Sequence, residues 1–267
     1  MKIQLLLSTM NLKNQKENLE LLEKMNVKID SLTINQITKD AINEQNDLKS
    51  KNKLISIKEK GLSKSRNRAI QNSDADICVI ADDDVKYVDN FQNIIINEYE
   101  KNNQYDIICF FVESQGKRKI KKMMTSKICK LQTMRICSVQ ITFKRKSIMQ
   151  NSMKFNENFG AGTYINRGEE TIFLWKCIEN GLKIKYVNKK IADVDFEKSS
   201  WFTGFNEEYF IKQGRVFYEL SHKFYKLLIL QYAIRKYHLY RKNFGISKAI
   251  KLMNSEINTK KLNNIKR

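Results

Sequence analysis

The sequence predicts an α/β domain on a mostly parallel central sheet flanked by helices, followed by a helical, basic C-terminal extension. Three observations carry this. Strand-like and helix-like segments alternate over the first 112 residues, the order that builds parallel sheets. Residues 75–85 form an apolar run that ends in Asp82-Asp83-Asp84. From Ile211 onward, 14 Lys plus Arg and only two acidic residues are interspersed with aromatic and aliphatic side chains.

Taken in order, Ile3 to Leu7 is a first strand that ends in the small polar turn Ser8-Thr9-Met10-Asn11. Leu19, Leu22 and Met25 recur at helical spacing over residues 16–25. Residues 27–34 predict a second strand ending at Asn35-Gln36, and residues 54–57 a short third one. The stretch Gly61-Leu62-Ser63-Lys64-Ser65-Arg66-Asn67 reads as a turn feeding a helix, with Ser63 as its N-cap. The aspartate strand follows, then a helix over 88–101 and a strand over 105–112. Residues 116–130 are a basic surface insert that lacks the interleaved aromatics of a nucleic-acid motif. A strand over 138–143 precedes a glycine loop with Gly160 and Gly162. Gly168-Glu169-Glu170 then opens a helix that closes near Gly181, and residues 183–187 are a last strand. Phe173 and Trp175 on that helix are expected in the core. Residues 1–210 and 211–267 are the expected division of the chain.

The net charge of +20 calls for an anionic partner: nucleic acid, a membrane surface or a phosphorylated substrate. The absence of proline beside abundant Lys, Asn and Ile points to an AT-rich genome, which accounts for part of the lysine excess. No apolar run approaches a membrane span, and Met1-Lys2 leads directly into a strand rather than a signal peptide. Five cysteines without C-x-x-C spacing fit reduced, small hydrophobes in a cytoplasmic protein. The basic aromatic tail fits a helix lying in an anionic membrane interface as well as one packed on the domain.

Three aspartates at a strand end repel one another, which raises their pKa values unless a cation is near. A hard divalent ion reverses that sign, since Mg²⁺ or Mn²⁺ takes oxygens from one or two carboxylates plus substrate phosphates. Strand carboxyl ends are where open α/β sheets hold ligands. The alternative is an acidic turn at a helix start. The Glu169-Glu170 pair has the same alternative, and a general base as its chemical reading.

The order of features, a Gly-x-Ser-x-Ser-Arg-Asn helix, an apolar strand into Asp-Asp-Asp, a glycine loop and Gly-Glu-Glu on a helix, resembles the family 2 glycosyltransferases of the GT-A fold. The resemblance runs from residue 3 to about 210. It implies an inverting, metal-dependent transfer from a nucleoside diphosphate sugar to an acceptor hydroxyl, in surface polysaccharide or glycoconjugate synthesis. By it, Asp84 and Asp82 would hold Mg²⁺ or Mn²⁺, and Thr9, Asn11, Asn35, Arg66, Asp82 and Asp83 would meet the nucleotide sugar. Glu170 would be the base, with Glu169 raising its pKa by like charge. Gly160, Gly162 and Trp201 would meet a carbohydrate or lipid-linked acceptor.

The chain departs from the family pattern in several places. Ser8-Thr9-Met10-Asn11 replaces Pro-x-Tyr-Asn, and Asn35-Gln36 stands where Asp-Asp-Gly-Ser is usual. The base is Glu rather than Asp. The histidine that often follows as a metal ligand is missing, with Asp193 or Asp195 as substitutes. The Gln-x-x-Arg-Trp motif of processive synthases is absent, which favours single addition. A nucleic-acid-binding protein and a metal-dependent nucleotidyltransferase are the competing readings. The clustered carboxylates argue against nucleic acid, and the missing glycine-rich phosphate loop argues against nucleotidyl transfer. The expected location is the cytoplasm, at the inner face of the cell membrane.

Overall fold

A computed structural model of the chain describes residues 1–40, 42–115, 120–195 and 204–265, with side chains through residue 257. Among the described residues, nine strands form one sheet: β1 (Ile3–Met10), β2 (Asp30–Gln36), β3 (Gln45–Asp47), β4 (Asn52–Ile57), β5 (Ile77–Asp82), β6 (Val85–Tyr87), β7 (Ile107–Gln115), β8 (Ile141–Lys144) and β9 (Ile184–Asp195). Their order is β3-β4-β2-β1-β5-β8-β7-β9-β6.

Strand β1 is apolar without alternation because both of its faces are covered. Leu5 and Leu7 point into one core with Val79 and Ala81, whereas Leu6 points into the other with Cys78 and Ile80. Pairing is parallel for β4–β2, β2–β1 and β1–β5, so four strand ends emerge together. Beyond β5 the sheet turns mixed: β5–β8, β7–β8 and β6–β9 are antiparallel and β7–β9 parallel. Six of the nine strands (β1, β2, β4, β5, β7 and β9) run the same way and β3, β6 and β8 run against them, so the expected mostly parallel sheet is observed. Leaving β1, the chain runs outward to β2 and later returns to β1's other side as β5. This reversal makes the crevice between the ends of β1 and β5 the topological switch point.

The helices are α1 (Gln15–Lys24), α2 (Leu62–Asn72), α3 (Phe91–Lys101), α4 (Lys130–Thr133), α5 (Arg145–Gln150), α6 (Glu169–Glu179), α7 (Glu207–Leu220), α8 (Tyr225–Arg235), α9 (Tyr237–Tyr240) and α10 (Ile246–Ile265). Phe173 and Trp175 are buried as expected, with Phe173 stacked on Phe155 at 4.2 Å. Trp175 also packs with the last four helices in a third core that includes Phe159, Ile165 and Ile172. Residue 210 lies inside α7. At the crossing of α7 and α10, a Cβ on Gly214 would sit 1.8 Å from the Met253 carbonyl oxygen, so only glycine permits that approach. Among the described residues, no helix is long and apolar enough to cross a membrane.

Several local expectations change. Ser63 does not cap α2; Gly61 occupies that position, and the Ser63 hydroxyl donates instead to the Phe159 carbonyl at 2.7 Å. The last strand continues to Asp195 because pairing with β7 and β6 extends it. Ser138–Gln140 is a 3-10 turn that delays the predicted strand to Ile141. Within the basic insert, residues 116–119 lie outside the described set, and Met123 and Ile128 anchor the remainder in the core.

Candidate active site

The end of β5 supplies Asp82, and the turn into β6 supplies Asp83 and Asp84. Beside them, β1 brings Ser8 level with Asp82. Helix α2 lies behind, carrying Arg66, which is 1% exposed. Its guanidinium fork donates from Nη2 to both Asp82 oxygens, at 2.9 and 3.2 Å, and from Nη1 to Glu169 Oε1 at 3.0 Å. Ser138 adds a donor to Asp82 Oδ2 at 3.0 Å. Arg66 therefore joins the two acidic motifs, and a planar multi-donor cation suits that task better than lysine would.

Asp82 is thus held on both oxygens, whereas Asp83 is exposed and Asp84 is partly buried. Asp83 is oriented by the Thr9 hydroxyl, which donates to Oδ2 at 2.8 Å. Asp84 has a buried Oδ1 with no hydrogen-bond partner. Burial, then the charges of Asp82 and Asp83, push its carboxyl up to about 6, with Asp195 adding to the effect. A buried, unsatisfied oxygen amid like charges is the environment a hard cation relieves. Asp195 also donates its backbone N–H to the Asp84 carbonyl at 3.3 Å, whereas Asp193 is engaged by Lys190 at 2.9 Å. Of the two aspartates considered as histidine substitutes, Asp195 is the one beside Asp84. Among the described residues, no group of three or more His, Cys, Asp or Glu side chains is arranged to hold an ion alone. Asp84 would be the principal protein donor to a Mg²⁺ or Mn²⁺ ion, whose shell substrate phosphates and water would complete.

At the start of α6, the two glutamates divide. Glu169 is buried against Arg66. Glu170 is half-buried and lines a cavity of about 160 Å³ together with Asp82, Asp84, Ser138 and Arg167. Its carboxyl is pushed up to about 8, first by burial and second by the charge of Glu169. Like-charge repulsion therefore acts as expected but ranks behind desolvation. A second cavity of about 410 Å³ shares Leu62, Asp82 and Ala161 with the first and is walled by Thr9, Lys60, Gly162 and Asp83. That volume is within the ~300–1,000 Å³ range of small-ligand clefts.

Of the remaining predicted residues among those described, Gly162 walls the larger cavity and the others line neither. Asn35 is fully buried; its amide donates to the Leu12 carbonyl and Ser56, and its oxygen accepts from Leu12 N–H. Asn11, at φ 60°, ties the ends of β1 and β2 through Thr38. Both shape the cleft's rim rather than line either cavity. Gly160 and Gly162 take positive φ, and a Cβ would meet Glu169 at 3.1 Å and Gly61 at 3.1 Å respectively. Their bareness lets the loop close on α2, where Leu62 N–H donates to the Ala161 carbonyl. Trp201 lies outside the described residues.

Sequence reasoning missed Ser138, Gln36 and Arg167. Gln36 clamps Gly61 through both its amide groups. Arg167 stacks over Tyr209 at 3.9 Å and keeps a buried Nε without a hydrogen bond. The signal available for Arg167 was its place directly before Gly168-Glu169-Glu170.

The model of glycosyl transferase family 2 matches residues 14–165 of the chain. No curated protein matches the sequence. Among solved structures, S. aureus TarS 1-349 in complex with UDP-GlcNAc is similar, with a TM-score of 0.63 and 14% identity. The same TarS fragment in complex with UDP gives a TM-score of 0.60 and 15% identity. Each alignment covers 91% of this chain and 74% of the other. At this identity the likeness is one of fold.

Proposed function

The chain belongs to glycosyl transferase family 2 and is a glycosyltransferase, and we propose that it moves a sugar from a nucleoside diphosphate sugar to an acceptor hydroxyl with inversion. The observation that carries this reading is that Asp84 and Glu170 line one cavity. The similarity to TarS, bound to UDP and to UDP-GlcNAc, favours a uridine nucleotide in the larger cavity. Its diphosphate would approach Asp83 and Asp84, where Mg²⁺ or Mn²⁺ would supply Lewis-acid charge to the phosphate oxygens.

The residues of the chain itself do the rest. Glu170 accepts the proton of the acceptor hydroxyl as that oxygen bonds to the anomeric carbon. The bond from this carbon to the phosphate oxygen breaks, and its electron pair departs with the nucleoside diphosphate. Attack opposite the leaving group inverts the centre. Arg167 presents positive charge on the wall shared with Glu170, and its stacking on Tyr209 limits its freedom. Arg66 acts on carboxylates, holding Asp82 and Glu169 in register. The elevated pKa of Glu170 suits proton transfer near neutrality.

The acceptor we infer is a carbohydrate, carried on a lipid at the inner face of an anionic membrane, in synthesis of a surface polysaccharide or glycoconjugate. A panel of nucleotide sugars with Mn²⁺ tests the reading by hydrolysis and thermal shift. One UDP-sugar should raise Tm and release UDP. A panel in which no nucleotide sugar does either would overturn it.

A further inference from the structure

Helix α8 is apolar on two faces. Its inner face, with Leu228, Ile229 and Ala233, packs into the third core. Its outer face carries Leu227, Leu230 and Ile234 at helical spacing, exposed by 62%, 44% and 57%. Phe224 before the helix and Tyr237 and Leu239 after it extend the exposed apolar surface. Water-facing helix surfaces are ordinarily polar, and contiguous apolar patches mark binding surfaces.

The charges around the patch say what covers it. No acidic residue stands between Glu219 and Glu256. Lys223, Lys226, Arg235, Arg241 and Lys242 are exposed, and none forms an ion pair with a carboxylate among the described residues. Lys236 is held below the usual lysine range by burial, by Arg235 and by Lys121. The basic insert and the C-terminal helices, far apart in sequence, thus add to one field. A second copy of the chain meeting this face about a two-fold axis would set cation against cation. An anionic lipid surface would accept both the apolar ridge and the charge.

We infer that the outer face of α8 docks on an anionic lipid bilayer, with Leu227, Leu230 and Ile234 entering the interface and Arg235 and Lys236 meeting headgroups. The inference deepens the lipid-linked acceptor reading and rests on it only for its purpose. Tyr232, on the inner side of the same helix, hydrogen-bonds to the hydroxyl of Tyr209, on whose ring Arg167 stacks beside Glu170. The docking face is therefore linked by packed side chains to the cavity that would receive the acceptor.

The test is co-sedimentation of the whole protein with vesicles of phosphatidylcholine, alone and mixed with phosphatidylglycerol. The protein should sediment with the anionic vesicles only, and salt should release it. R235Q/K236Q should weaken binding roughly 25-fold. L227S/L230S/I234S should abolish it while leaving Tm and donor hydrolysis unchanged, because these side chains face outward. Failure of the wild type to sediment, equal binding to neutral vesicles, or unchanged binding by the triple serine variant would overturn the inference. So would a dimer in light scattering that the triple variant dissolves, since a second copy would then cover the face. Loss of donor hydrolysis in otherwise vesicle-binding protein would instead sink the glycosyl-transfer reading and leave this one standing.

Discussion

Arg66 and Glu169, 103 positions apart, meet in a buried ion pair at 3.0 Å, and the same guanidinium grips Asp82. One side chain therefore sets the distance between the aspartate turn and the glutamate helix. Breaking a buried pair by removing one partner leaves an uncompensated charge, at a cost of about 3–5 kcal/mol. The partly exposed Asp82 keeps the expected effect of R66A toward the low end. In urea unfolding, R66A should shift the midpoint down with an unchanged slope, and R66K should recover only part of the loss because it cannot bridge both carboxylates. A wild-type midpoint for R66A would contradict this role.

Glu170 gives a pH dependence whose sign can be worked out. As a base it must be ionised, so kcat/KM should rise with pH through about 8. Stability runs the other way. The folded carboxyl binds its proton more tightly than the unfolded one, at about 4.3, so the associated stability is full below that value and is lost as pH rises through about 8. E170Q should therefore raise Tm relative to wild type at pH 9 and leave it nearly unchanged at pH 4. An equal shift at both pH values would show that Glu170 does not titrate as described.

Asp84 follows the same logic over a lower window. Its folded carboxyl is raised to about 6, so in metal-free buffer the ionised form weakens the fold above that pH. D84N should raise the apo Tm at pH 7.5 and erase the additional thermal shift that Mn²⁺ gives a bound nucleotide sugar. Retention of that Mn²⁺ increment would remove Asp84 from the metal site.

Arg66, Glu170 and Asp84 are legible in the amino-acid sequence because each sits in a short motif whose residue types carry the chemistry. Asp82 to Asp84 end a continuous apolar strand, Glu169 and Glu170 open a helix after glycine, and Arg66 lies in a helix after a glycine turn. The rest is set by long-range packing. Ser138 reaches Asp82 only because β8 inserts antiparallel beside β5, which no local pattern announces. Asn35 carries a polar side chain suited to a ligand, but burial turns it toward Leu12 and Ser56. Gly160 and Gly162 read as close approach to a sugar; the packing also brings them against Glu169 and Gly61, and Gly162 walls the larger cavity. The antiparallel insertion of β8 between β5 and β7 is hidden because strand direction depends on the connections between strands, not on their composition.

The C-terminal helices depend on a glycine that no local pattern singles out. A methyl group on Gly214 would overlap the Met253 carbonyl oxygen, so G214A must push α7 and α10 apart. Overpacking of this kind costs about 1–3 kcal/mol. G214A should lower Tm, and because α7 carries Tyr209 beneath Arg167, it should also raise KM for the acceptor. Unchanged Tm would mean the crossing is looser than described.

The most direct measurement pairs calorimetry of UDP-sugar binding with single-turnover sugar transfer, on wild type and E170Q side by side. E170Q should bind the donor with wild-type affinity in the presence of Mn²⁺ and transfer sugar at least about 100-fold more slowly. Transfer at the wild-type rate by E170Q would contradict the assignment of Glu170 as the base.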